Sequence, residues 1–180
     1  MKTGIVLPVF PGVSIGPAVV YRKSERCVPV SSGDPAAEQA KFNEAVVTAR
    51  EQLGALYEKA KIELGEEKAA IVEVQMLMLD DLDYLEGVAA AIEGGAAAAD
   101  AALDTGEEFA AVFAAMDDAY MNARSADIRD MSHRIYDILC GNTGFQLPDG
   151  KFLLIAEDLA PSETIQLPRE RILGFVTQQG

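Results

Sequence analysis

Residues 34–65 carry the feature that most limits what this chain can fold into. Asp34 followed by Pro35 puts an N-cap residue before a proline, which the first helical position accepts because its missing N–H would have no partner there. Phe42, Val46, Ala49, Leu53, Leu56, Ala60 and Leu64 follow at spacings of 4, 3, 4, 3, 4 and 4, and Gly65 closes the run. That is the period of one helix face. A seam of this length needs another helix to cover it, so the sequence predicts helix packed on helix.

The next stretch, GEEKAAIVEVQMLMLDDLDYLE from Gly65 to Glu86, supplies that second helix. Ala70, Val74, Leu77 and Asp81 are expected to mark one side of it. Short acidic side chains at residues 80–83 compete for backbone hydrogen bonds, so a break is expected there, with a second piece ending at Gly94-Gly95. The stretch holds Glu66, Glu67, Glu73, Asp80, Asp81, Asp83 and Glu86 against a single base, Lys68, and interleaves acids with Met and Leu from Met76 to Leu85. An ordinary surface helix separates these chemistries on opposite faces; interleaving them marks a surface made to meet a partner.

A third helix is expected from Ala97 to Asp118, with Ala102, Phe109, Phe113, Met116 and Tyr120 on one stripe. A fourth runs from Arg124 to Cys140, with Ile128, Met131, Ile135 and Ile138 in register, and stops at Gly141-Asn142. The alanine tract Ala96 to Ala102 has high helix propensity and reads as close packing. The middle of the chain is therefore two helical hairpins, a four-helix bundle.

The ends read differently. GIVLPVF and SIGPAVVYR, separated by Pro11-Gly12, read as two strands, with Pro8 and Pro17 confining them to edges or bulges. Lys151–Ala156 and Ile172–Thr177 read as two more, with a polar turn or short helix around Pro161 between them. The fold class is α+β, with terminal strands that pair with each other and helices inserted between them. The expected divisions are residues 1–22, first part of an α/β unit; 23–143, helical; and 144–180, second part of the α/β unit. The sheet is expected to be incomplete, because the chain stops at Gly180, straight after a strand. A fragment is therefore expected, with its last strand poorly ordered or forming a dimer through the bare edge.

A net charge of −14 disfavours nucleic acid and anionic membranes, which need clustered Lys and Arg, and favours a basic protein partner. No run reaches the ~18 apolar residues of a membrane-spanning helix. The N-terminus lacks the apolar core of a signal peptide, so the expected location is the cytoplasm. Cys27 and Cys140, far apart and without metal-site spacing, are expected to be reduced thiols. His133, the only histidine, has no paired acid or ligand and is expected to be an exposed helical residue. No metal spacing and no phosphate-binding glycine motif occurs, so the chain does not read as a complete enzyme. Arg124 would open the fourth helix against its dipole, either paired to a carboxylate, held outward for a ligand, or simply solvated. An intrahelical pair such as Asp130–Arg134 contributes only ~0.3 to 0.5 kcal/mol. Ser162 and Thr164 follow a strand, where a hydroxyl can donate to phosphate or merely cap a short helix.

Four segments in order, GIVLPVFPGVSIGPAVVY, GEEKAAIVEVQMLMLDD, RSADIRDMSHRIYDIL and LIAEDLAPSETIQL with ILGFVT, resemble the N-terminal part of Enzyme I of the phosphoenolpyruvate-dependent sugar phosphotransferase system. The resemblance implies a helical subdomain inserted in a phosphohistidine (swivelling) α/β subdomain, and binding of the phosphocarrier protein HPr. It implies a partner surface of Glu66, Glu67, Asp81 and Asp83, with Ala70, Met78 and Tyr84 as apolar contacts and Arg124 at the rim. Thr164 matches the threonine that contacts the phosphorylated histidine. Gln75 stands where many relatives carry histidine, and Leu82 where an acid is common. In the family a Gly-rich turn and a Ser-His pair follow the strand resembling ILGFVT, and the histidine takes the phosphoryl group. That phosphoacceptor is expected beyond Gly180, so no catalytic residue is expected in this chain. No cofactor is expected for this part, since phosphoenolpyruvate and magnesium belong to the family's C-terminal barrel. The expected function is HPr recognition within a phosphotransferase, the alternative a regulatory or structural helical module, with no activity by this part alone.

Overall fold

The computed structural model describes residues 13–21, 27–142, 147–159 and 161–178. The first expected strand, GIVLPVF, lies outside them. Gly180 lies outside them too, so the expectation that places the phosphoacceptor histidine beyond Gly180 concerns a stretch outside the described residues. The long seam forms helix α1, Pro35–Leu64, and the Asp34 side chain accepts the Ala36 N–H at 3.0 Å as its cap. Gly65 ends the helix at a φ of 88°, a left-handed value that glycine adopts without strain. Phe42, Ala45, Ala49, Leu53, Leu56 and Ala60 are buried along α1, with Val46 and Leu64 packed at the margin.

Helix α2, Glu66–Met78, turns back along α1. The chain breaks after it, and α3, Leu82–Glu93, begins at Asp81, whose carboxylate accepts the Tyr84 N–H at 3.0 Å. The acidic break is thus a cap, as the competition of short acids for backbone donors predicts. Helices α4, Ala98–Ala114, and α5, Ala119–Leu139, complete the bundle. Gly106 lets them approach closely: a Cβ there would come within 2.3 Å of Ser132 Cβ.

Three helical details differ from the sequence reading. The inward face of α2 is Ala69, Val72, Gln75 and Leu79, not Ala70, Val74 and Leu77. Both sets recur at helical spacing, so periodicity leaves the phase open; Asp130 on α5 gives the Gln75 amide a buried partner at 2.7 Å, and Leu77 turns outward. The inward face of α4 is made mainly by small residues, Ala98, Ala101, Ala102, Thr105, Gly106 and Ala110; of the expected stripe Ala102 is buried and Phe109 packs at the margin of the core, while Met116 and Tyr120 are exposed. Helix α5 begins ahead of Arg124, where the Asp118 carboxylate accepts the N–H groups of Tyr120 and Met121. Arg124 therefore does not open the helix, and the dipole argument does not apply to it.

The three strands β1, Ala18–Val20, β2, Phe152–Ala156, and β3, Ile172–Thr177, form one parallel sheet in that order. Val19 pairs with Leu154, and Leu154 with Phe175. The helical bundle is the crossover from β1 to β2. A short helix, α6, Pro161–Gln166, lies in the crossover from β2 to β3. Phe152, Leu154 and Leu167 form a separate small core under the sheet, while Ile165 of α6 joins the main core of the bundle.

Cys27 and Cys140 are joined by a disulfide, with Cα atoms 6.0 Å apart across 113 residues of sequence, which corrects the expectation of two reduced thiols. The segment leading into α1 runs past the end of α5, where Tyr136 donates its hydroxyl to the Cys27 carbonyl at 3.0 Å. Sequence separation conceals this meeting of the two ends of the helical insertion.

Candidate functional site: the outer side of the broken helix

Because α2 buries Ala69, Val72 and Gln75, the opposite side of the same helix presents Glu66, Ala70, Glu73 and Leu77. The break adds Asp81, Leu82 and Asp83, all exposed. Leu77 and Leu82 are 68% and 71% exposed, so two large apolar side chains stand in water between carboxylates. Of the apolar residues interleaved in the sequence, Leu77 and Leu82 share this acidic surface, whereas Leu79 and Tyr84 are buried and Met76, Met78 and Leu85 pack against the core.

The acids are not equivalent. Arg50 of α1 holds Asp80 through two hydrogen bonds of 2.9 and 2.6 Å, and its guanidinium lowers the Asp80 pKa. This exposed pair anchors the break and stabilises the fold by at most ~1 kcal/mol. Glu66 sits 3.2 Å from Lys61. Glu67, Asp81 and Asp83 form no ion pair among the described residues. Together with Glu73 they are uncompensated charges of this face.

Of the other expected contacts, Ala70 is exposed and Met78 half-buried against the core. Tyr84 is a correction. It is 2% exposed, packs against Phe42 and edge-on against Phe109, and donates its hydroxyl to the Ala102 carbonyl at 3.0 Å. A partner cannot touch it; it supports the break from beneath. Arg124 donates to Asp127 at 3.0 Å and to the Tyr120 hydroxyl at 2.6 Å, and its guanidinium lies 4.5 Å from the Tyr120 ring centroid. Burial raises the Asp127 pKa, and Arg124 opposes that shift. Arg124 is thus paired within its own helix, one of the readings left open by the sequence.

Thr164 and Ser162 face different surroundings on α6. Thr164 is exposed, whereas Ser162 is buried. Ser162 donates its hydroxyl to Asp130 Oδ1 at 2.9 Å and its N–H to Asp130 Oδ2 at 3.2 Å, and its oxygen accepts from Arg134 at 2.9 Å. One hydroxyl proton satisfies this arrangement, so Ser162 is committed internally and is not a phosphate donor. Arg134 also donates to Gln52 at 3.1 Å, and burial lowers its pKa. Asp130 and Arg134, a weak i,i+4 pair on paper, meet through Ser162, which sequence spacing could not reveal.

His133 is half-buried and interacts with its surroundings, rather than being a freely exposed helical residue. Among the described residues no group of three or more His, Cys, Asp or Glu could hold a metal, and no helix is long and apolar enough to cross a membrane.

Residues 6–124 match the family described as PEP-utilising enzyme, N-terminal. Curated relatives bear the name phosphoenolpyruvate-protein phosphotransferase. That of Bacillus sp. (strain S) is 41% identical over 150 residues, covering 82% of this chain and 26% of that protein. That of Bacillus subtilis (strain 168) is 36% identical over 180 residues, covering 94% of this chain and 31% of that protein. The chain thus spans about a quarter to a third of the length of these relatives. Among solved structures, an NMR solution structure of Enzyme I (nEIt) is similar with a TM-score of 0.78 and 32% identity, over 93% of this chain and 70% of that one. The N-terminal domain of Enzyme 1 - Nitrogen is similar with a TM-score of 0.71 and 26% identity, over 97% of this chain and 74% of that one. The mixed architecture of helical bundle and small parallel sheet agrees with both.

Proposed function

The chain belongs to the family of PEP-utilising enzymes matched through their N-terminal part, and on that premise we propose that it is the HPr-recognising portion of an Enzyme I-type phosphotransferase. The observation that carries this reading is the outer side of α2 and α3, where uncompensated carboxylates surround Leu77 and Leu82. A small basic protein fits such a face: charge steers the encounter, and apolar contacts hold the complex. Glu66, Glu67, Asp81 and Asp83 supply the charge, Ala70, Leu77, Met78 and Leu82 the apolar contacts, and Arg124 the rim. In this reading residues 23–143 are the helical HPr-binding unit, and 1–22 with 144–180 belong to the α/β unit that carries the phosphohistidine, with Thr164 as its contact. The phosphoacceptor histidine itself would lie beyond Gly180. Phosphoryl transfer in the whole protein would run from phosphoenolpyruvate to that histidine and on to HPr. Docking makes the last step effectively intramolecular.

The test is an NMR titration of the chain with HPr from the same organism. Asp81 caps α3 as well as facing outward, so charge reversal at Glu67 and Asp83 separates recognition from folding. Glu67→Lys with Asp83→Lys should weaken binding about tenfold or more, and raised salt should weaken the parent complex. Unchanged affinity in the double variant would sink the assignment of this face. No binding of HPr by the parent chain would favour a regulatory helical module, for which exposed Leu82 is the remaining argument now that Asp130 accounts for Gln75.

A further inference from the structure

We propose that Asp130 is a positioning residue: through Ser162 it locks helix α6 to the bundle and so fixes Thr164 relative to the partner-binding side of α2. This rests on the reading of Thr164 and α2 given above. Helix α6 has six residues, too few to hold its own conformation in water, so its orientation is set by what it is fastened to. Its fastenings include Ile165 in the main core, the Gln166 carbonyl accepting from Lys59 at 3.3 Å, the Glu163 carboxylate accepting from the Tyr21 hydroxyl, and Ser162.

The Ser162 fastening is the one that ties α6 to α5 through three hydrogen bonds at a single residue. Asp130 takes both the N–H and the hydroxyl of Ser162, at 3.2 and 2.9 Å, while Arg134 donates to the same hydroxyl oxygen at 2.9 Å. Bonds to an ionised acceptor are the strong ones, and two from one residue fix angle as well as distance. On a helix, residues two apart point about 200° apart, so turning Ser162 inward turns Thr164 outward, where it is exposed. The same carboxylate accepts from Gln75 of α2 at 2.7 Å. Gln75 lies on the inner side of the helix whose outer side carries Glu66, Ala70 and Leu77. One buried carboxylate thus joins α2, α5 and α6, and the path from docking side to Thr164 is Gln75, Asp130, Ser162.

The test uses the 180-residue chain, with Asp130→Asn, Ser162→Ala and Ser162→Thr, followed by amide hydrogen exchange and by titration with HPr carrying a spin label. Asp130→Asn and Ser162→Ala should speed exchange at Ser162 to Gln166 about tenfold or more, leave the α1 core at Ala49 and Leu53 unchanged, and leave HPr affinity within about twofold. The relaxation enhancement that bound label produces at the Thr164 methyl should change, and Ser162→Thr, which keeps both donors, should restore the parent pattern. Uniformly faster exchange across the bundle, or an unchanged Thr164 signal in the bound state, would overturn the proposal. If Asp130→Asn fails to fold, Ser162→Ala decides between the same outcomes. Failure of the parent chain to bind HPr instead removes the docking reading, while the exchange data still report whether Asp130 fastens α6.

Discussion

Glu38 shows how much one side chain can contribute when two elements start beside each other. It is 2% exposed in the first turn of α1, yet its carboxylate accepts from Lys41 at 2.7 Å, from the Ala98 N–H at 2.8 Å and from the Ser32 N–H at 3.0 Å. Helix α4 has Ala97 at its N-cap, with no side chain to offer, so a carboxylate from α1 caps it across space. The Lys41 hydrogen bond, helped by the two backbone donors, lowers the Glu38 pKa to about 2. Because the folded value lies below the unfolded one, this stabilisation is present above about pH 4.3 and is lost as pH falls through about 2. Glu38→Gln should flatten the pH dependence of the urea midpoint across that window. Glu38→Ala, which leaves the buried Ala98 donor unsatisfied, should cost about 1–3 kcal/mol at neutral pH. A midpoint with the parent pH dependence in Glu38→Gln would contradict the account. Local sequence shows an acid in a first turn; it cannot show that the helix being capped is a different one.

At the scale of elements, the packing of α4 on α5 depends on an absence. Alanine is the better helix former by about 1 kcal/mol, so Gly106→Ala would stabilise an isolated α4. Here the new Cβ would meet Ser132 Cβ and Oγ at 2.3 Å, and Ser132 is itself buried with its hydroxyl donating to the Ile128 carbonyl. The close approach should win, with a net loss of about 1–3 kcal/mol in chemical denaturation, and Ser132→Gly should recover part of it. A stabilised Gly106→Ala would mean that the two helices are further apart than described. The bounds of α1 and the break between α2 and α3 were legible because Asp34-Pro35, Gly65 and Asp81 act within one turn of where they stand. The phase of α2 was not legible, because Ala69, Val72 and Leu79 repeat as well as Ala70, Val74 and Leu77 do. Tertiary packing chooses between them, through the shared core with α1 and the bond from Gln75 to Asp130 on α5. For the same reason Tyr84 reads equally well as a surface contact or a core residue until α4 supplies the Ala102 carbonyl beneath it.

For the molecule as a whole, the disulfide between Cys27 and Cys140 closes the helical insertion where it leaves and rejoins the sheet. It spans 113 residues, and a cross-link over so long a loop restricts the unfolded chain, which stabilises the fold by about 5 kcal/mol in the chain-entropy account. Reduction, or Cys27→Ser with Cys140→Ser, should lower both Tm and the urea midpoint; a midpoint indifferent to reductant would show that the bond does not constrain the chain. The sequence by itself determined the order of the described strands and helices, the bounds of α1, the break before α3 and the acidic, apolar character of residues 65–86. Caps, turn residues and side-chain periods act over a few residues and can be read where they occur. Tertiary structure alone decided which side of α2 faces water, that the two cysteines meet, and that Asp130, Arg134 and Ser162 converge. Those depend on which distant groups share a buried space, and apolar packing together with hydrogen-bond pairing there selects one arrangement among several that local sequence allows equally.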